Sequence, residues 1–149
     1  MEAGVFDVDL WRCQTALAEA RASPGDESAR SALARAAAEY GGDLLEGSFC
    51  EWGEPIRESL RRQVLDALAR LSELQTREGK LDQALAVLEQ AIKVDPYAEE
   101  LYRRGMRILA QLGRGDAARR LLRQLEAGLS ELDAEPEEET VQLAKDIGL

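Results

Sequence analysis

The chain lacks histidine altogether over its 149 residues, and with it the commonest general base and the commonest zinc ligand. Hydrolytic triads and zinc centres are not expected, and the chain is read as no enzyme, with no cofactor and no metal. Cysteine is scarce: Cys13 and Cys50 stand far apart and form no CxxC pair. That spacing suits small, half-buried residues in a reducing compartment, with a disulfide or a redox thiol as the alternative. No apolar run reaches the length of a membrane span, and the start "MEAGVFDVDLWR" has neither the basic nor the apolar region of a signal peptide. A cytoplasmic location without membrane contact is the expectation. Positive charge is in deficit, 19 basic residues against 29 acidic ones for a net charge of −10. Phosphate backbones would repel such a chain, so DNA is expected to be reached only through a separate DNA-binding domain.

Aromatic residues make up only 5% while hydrophobic residues reach 45%. The apolar content is carried by alanine and leucine alongside glutamate and arginine, the composition of packed helices. The expected fold is all-α, a single domain over 1–149. In "VDLWRCQTALAEARA" the positions Leu10, Cys13, Leu17 and Ala20 recur at helical spacing behind a capping Asp7 or Asp9. "ESARSALARAAAEY" follows antiparallel, capped by Asp26 or Ser28 and ended by two glycines. The stretch "GGDLLEGSFCEWGEP" is rich in glycine yet holds Leu44, Leu45, Phe49 and Trp52, which predicts an ordered, packed loop. Pro55 suits the first turn of a long helix that carries Ile56, Leu60, Val64, Leu68, Leu71 and Leu74 and ends at Gly79.

Beyond Gly79 the chain repeats itself. Gly79 and Gly113 lie 34 residues apart, as do Ala84 and Ala118, and Leu88 and Leu122. Ala91 maps onto Leu125 by the same offset. This is the tetratricopeptide period: glycine in the turn, small alanine where the second helix meets the first, proline after the pair. Residues 65 to 98 match that signature except that Ser72 and Gln75 replace its glycine and tyrosine. Residues 99 to 132 match less well, with Ser130 where Pro96 would map. Helix pairs near 9–40, 55–96 and 98–132 are predicted to stack as a tetratricopeptide-like superhelix of about three pairs, closed by a capping helix near 137–147. Stacked pairs expose a concave face built from the first helix of each pair, a face that binds partners.

Three segments, "DVDLWRCQTALAEAR", "YGGDLLEGSFCEWGEPIRESLRRQVLDALARL" and "LSELDAEPEEETVQLAKDI", together resemble the bacterial transcriptional activator domain, the helical module of the antibiotic-regulator type of activators. The middle one, with its Gly-Asp-Leu-Leu loop leading to Trp52, Glu54 and Arg57, is the most specific. The resemblance implies a tetratricopeptide-like fold and a regulatory, protein-interaction or dimerisation role in transcription, in a family whose module commonly follows a winged helix-turn-helix. No basic recognition helix precedes residue 9, so the expectation is either a fragment of a longer regulator or a module working without its own DNA reader. The other reading is a standalone tetratricopeptide scaffold or adaptor with no tie to transcription.

Site expectations follow the repeat register. The concave positions fall at Asp66, Ala69, Glu73 and Thr76, then at Glu100, Arg103, Arg107 and Ala110. Arg103 and Arg107 share a helix face and make a basic spot for an acidic peptide, a carboxyl terminus or a phosphorylated partner, unless neighbouring glutamates neutralise them. Trp52 is either the anchor of its loop or a hot spot for a protein partner, including a second copy in a homodimer. The acidic pairs Glu99-Glu100 and Glu137 to Glu139 read as solvated helix starts. "GRGD" at 113–116 reads as a turn, with Asp116 as the next helix's cap.

Overall fold

A computed structural model describes residues 3–22, 26–40 and 54–149. The regular structure among them is helical throughout: α1 (Ala3–Ala22), α2 (Asp26–Tyr40), α3 (Glu54–Arg77), α4 (Leu81–Val94), α5 (Glu99–Gln111), α6 (Gly115–Glu131) and α7 (Glu138–Asp146). The all-α expectation holds. The predicted packed loop, Trp52 and Cys50 included, lies outside the described residues, as does the side chain of Cys13. The chain divides into two compact units, Met1–Leu74 and Gln75–Leu149.

In the first unit α1 and α2 pack as a hairpin. Ala16, Ala20, Ala29, Ala32 and Ala36 are all buried, and side chains this small let two helix backbones approach closely. Leu17 and Leu33 fill what remains. α1 begins earlier than expected, so Asp7 and Asp9 lie inside the helix rather than capping it. Gly4 is the weakest helix former in this stretch, by about 1 kcal/mol relative to alanine. On α3, Leu60, Val64, Leu68, Leu71 and Leu74 are buried at spacings of three and four. The guanidinium of Arg70 donates to the carbonyl of Ala20 at 3.1 Å, supplying a partner for one of the last four carbonyls of α1. Arg21 donates to Gln63 at 3.1 Å beside it.

The second unit is built on a recurring way of ending a helix. After α3 the amide of Lys80 donates to the Gln75 carbonyl at 2.8 Å and that of Gly79 to Thr76 at 3.1 Å. After α5, Arg114 donates to Leu109 at 2.8 Å and Gly113 to Ala110 at 3.0 Å. Both glycines are left-handed, with φ of 75° and 70°. This double bond back onto the preceding turn satisfies orphan carbonyls and needs a residue that tolerates positive φ. α6 ends in the same way through Asp133, a non-glycine residue at φ 54°. Because a Cβ at Gly79 or Gly113 would meet nothing within 4 Å, only backbone strain opposes a side chain there. Gly79→Ala and Gly113→Ala should each cost about 1 kcal/mol and Asp133→Gly should gain a little less, measured by urea denaturation.

The repeat register appears directly in the burial. Ala84, Ala91, Ala118 and Leu125 are wholly inaccessible. Ala118 joins Met106 and Leu109 in one cluster, against which Leu121, Leu143, Ile147 and Leu149 pack. α7 thereby lies on α5 and closes the unit as the predicted capping helix. The departures from the signature are accommodated locally. Ser72 turns its hydroxyl onto the Ala69 carbonyl at 2.8 Å, while Gln75 keeps a buried side-chain oxygen with no partner among the described residues. With serine instead of proline at 130, α6 runs on to Glu131.

Candidate partner-binding surface

The helix starts of the second unit show what the carboxylates do. α5 opens with Glu99 and Glu100, placed at the positive end of the helix dipole. Glu99 is not solvated: it is 8% exposed. Its carboxylate accepts the Thr140 hydroxyl at 2.6 Å and the Glu137 amide at 2.9 Å. A buried carboxylate needs such donors, and here both come from the start of α7. Thr140, itself wholly buried, also accepts from Arg103 at 3.0 Å. Arg103 donates to Glu137 at 2.6 Å and to Glu100 at 3.1 Å, and Glu139 lies 3.7 Å away. Hydrogen bonding to Glu137, reinforced by Glu100, holds the guanidinium above its ordinary pKa despite partial burial. Glu99, Arg103, Glu137 and Thr140 form one network that clasps α7 onto α5.

Arg103 is thus only 11% exposed, with Nη1 engaged by Glu137 and Thr140 and Nε by Glu100. Arg107, one turn further along α5, is exposed and has no ion pair among the described residues. Of the two arginines expected to form a basic spot, the first is neutralised by glutamates and the second stands open. Glu100 is half exposed and paired with Arg103 and Arg104. Burial pushes its carboxyl pKa up, but the hydrogen bonds from Arg104 and Arg103 outweigh that and hold it below the ordinary value. A depressed carboxylate contributes stability above its unfolded pKa and loses it as pH falls through the folded one. Glu100→Gln should therefore make melting temperature less sensitive to acid below the usual glutamate range, read from melts at neutral and acidic pH.

Asp66 and Glu73 are exposed on α3 two turns apart, Ala69 and Thr76 are half-buried on the same helix, and Ala110 is exposed on α5. Asp116 does not cap α6. The left-handed ending at Gly113 makes Arg114 the residue before the helix, and Asp116 enters its first turn to pair with Arg119 at 3.1 Å. The clasp was the part hidden from local reading, although a signal existed. Arg103 and Glu137 are 34 residues apart, one repeat period, and stacked repeats bring such positions together.

No group of acidic or cysteine side chains among the described residues could hold a metal ion, and no described helix is long and apolar enough to cross a membrane. A model of the family described as bacterial transcriptional activator domain matches residues 8–148. No curated protein and no solved structure matches the chain.

Proposed function

Since the chain belongs to the bacterial transcriptional activator domain family by a match over nearly its whole length, we propose that it is the regulatory module of a bacterial transcriptional activator. It works by contacting protein, a partner or a second copy of itself, beside a winged helix-turn-helix that grips the promoter. The family match carries this reading. The net charge of −10 supports the division of labour, because a surface this acidic gains nothing from phosphate and leaves DNA to another domain.

The test is a bacterial reporter in which the 149 residues are fused to an unrelated DNA-binding domain with a known operator. Transcription should rise several-fold over that of the DNA-binding domain alone. Equal output at equal protein level would sink the transcriptional role. Within the assay, Arg107→Glu should lower output with melting unchanged, since Arg107 is exposed. Arg103→Glu should lower both, because it sets a carboxylate against Glu100, Glu137 and Glu139 in the α7 clasp. Trp52→Ala separates anchor from hot spot: a lower melting temperature marks the anchor, lost output without it the hot spot.

A further inference from the structure

In the second unit a groove of about 380 Å³ runs between α4 and α6. Its apolar lining comes from Leu85, Leu88 and Ile92 on α4, Ala117 and Leu121 on α6, and Gly105 on α5. A Cβ at position 105 would stand 2.7 Å from Leu121 Cδ2, so the missing side chain is what lets Leu121 settle onto α5. Asp82 and Arg114, at the starts of the two wall helices, pair at 2.9 Å and tie the walls together at one end. From Leu85 to Ile92 the wall rises about 10 Å, room for roughly two turns of a helix laid alongside.

The charges of the two walls differ. On α6, Arg114 is neutralised by Asp82 and Arg119 by Asp116, and Gln124 is engaged by the Tyr102 hydroxyl. Arg120 faces the groove, exposed, with no ion pair among the described residues. Arg123 follows three residues on, equally exposed and equally unpaired among them. The α4 wall contributes Glu89 instead. An acidic chain therefore keeps one unneutralised positive charge, Arg120, on the wall of a partly apolar groove, with Arg123 beside it outside the lining.

We propose that this groove is a docking site for a short amphipathic helix of a protein partner, seated by an apolar seam over the half-buried Leu85, Ala117 and Leu121 above a buried floor of Leu88 and Ile92, with a carboxylate flank facing Arg120. The apolar seam supplies contact area, and the flanking charges set orientation and exclude basic helices. The site uses residues of α4 to α6 alone and does not depend on the transcriptional role.

The test uses the full chain with labelled leucine methyls and two synthetic helical peptides of about 14 residues, alike in their leucine seam, one flanked by glutamates and one by lysines. The glutamate peptide should shift the methyls of Leu85, Leu88 and Leu121 and bind at least roughly tenfold tighter than its lysine twin, a gap of about 1.4 kcal/mol. Arg120→Glu, at an exposed position, should reverse that preference with melting unchanged, and Arg123→Glu should weaken it in the same direction. Absence of binding, shifts confined to other leucines, or a preference indifferent to Arg120→Glu would overturn the proposal. So would shifts at these methyls produced by raising the protein concentration without peptide, which would make a second copy the occupant.

Discussion

Glu99→Ala should release α7 and lower stability by about 2–3 kcal/mol. The carboxylate accepts two hydrogen bonds, from the Thr140 hydroxyl at 2.6 Å and the Glu137 amide at 2.9 Å, and bonds to a charged acceptor are worth roughly 1.5–3 kcal/mol each. Two effects reduce the sum. The Glu137 amide can turn to water once exposed, and deleting a buried charge removes its desolvation cost. What remains is a buried threonine hydroxyl with Arg103 as its neighbour and no acceptor of its own. Thr140→Val removes the same bond from the other side at nearly unchanged volume. The double variant should therefore lose less than the sum of the single losses, by about 1 kcal/mol or more. Amide exchange adds the local readout: protection should vanish over Val141–Leu149 in Glu99→Ala before it falls in α4 and α5. Full protection of α7 together with an unchanged melt would show that Leu143, Ile147 and Leu149 hold the helix without the clasp.

The second large effect lies at a pair of positions that the repeat equates and the packing does not. Ala91 and Leu125 are related by the 34-residue period, and both are wholly buried. Leu125→Ala should leave a cavity and cost about 3 kcal/mol, the middle of the range for buried leucine truncation. For a chain of this size that is a fall of roughly 10 °C in melting temperature. Ala91→Leu, making the first unit of the repeat imitate the second, should cost about 2 kcal/mol by overpacking. If Ala91→Leu were tolerated within a few tenths of a kcal/mol, the two repeats would be interchangeable at this position and their sequence difference would be drift. Differential melting of the two variants decides it.

How much of this was legible beforehand depends on the range over which each feature is determined. Helix type and most helix ends are local properties. Leu60 through Leu74 declare a buried face by their spacing, and glycine at 79 and 113 marks the endings because few other residues accept a φ near 70°. The capping role expected of Asp116 failed for an equally local reason: the double bond back from Arg114 and Gly113 sets the start of α6, leaving the aspartate two residues past the capping position. Glu99 misled because a carboxylate at a helix start usually faces water. Its donors lie 38 and 41 residues away, beyond any local window. The basic spot divided for the same reason, Arg103 finding its partner a full repeat later and Arg107 finding none among the described residues. Adding the repeat period to each charged position would have paired Arg103 with Glu137.

The clasp has a consequence for the order in which the chain comes to rest during synthesis. Everything α4, α5 and α6 need from one another is complete once residue 131 has been made, but Glu99 still lacks both of its donors and Arg103 its Glu137 partner. Translation at about 5–20 residues per second leaves a nascent protein whose α5 holds an unanswered carboxylate, while the surface of Met106, Leu109 and Ala118 waits for Leu143, Ile147 and Leu149. The unit can then be finished only from its C-terminal side, when residues 137–149 clear the ribosome. A pause placed in that interval would prolong the one stage at which this apolar surface is open to chaperones or to a neighbouring nascent chain.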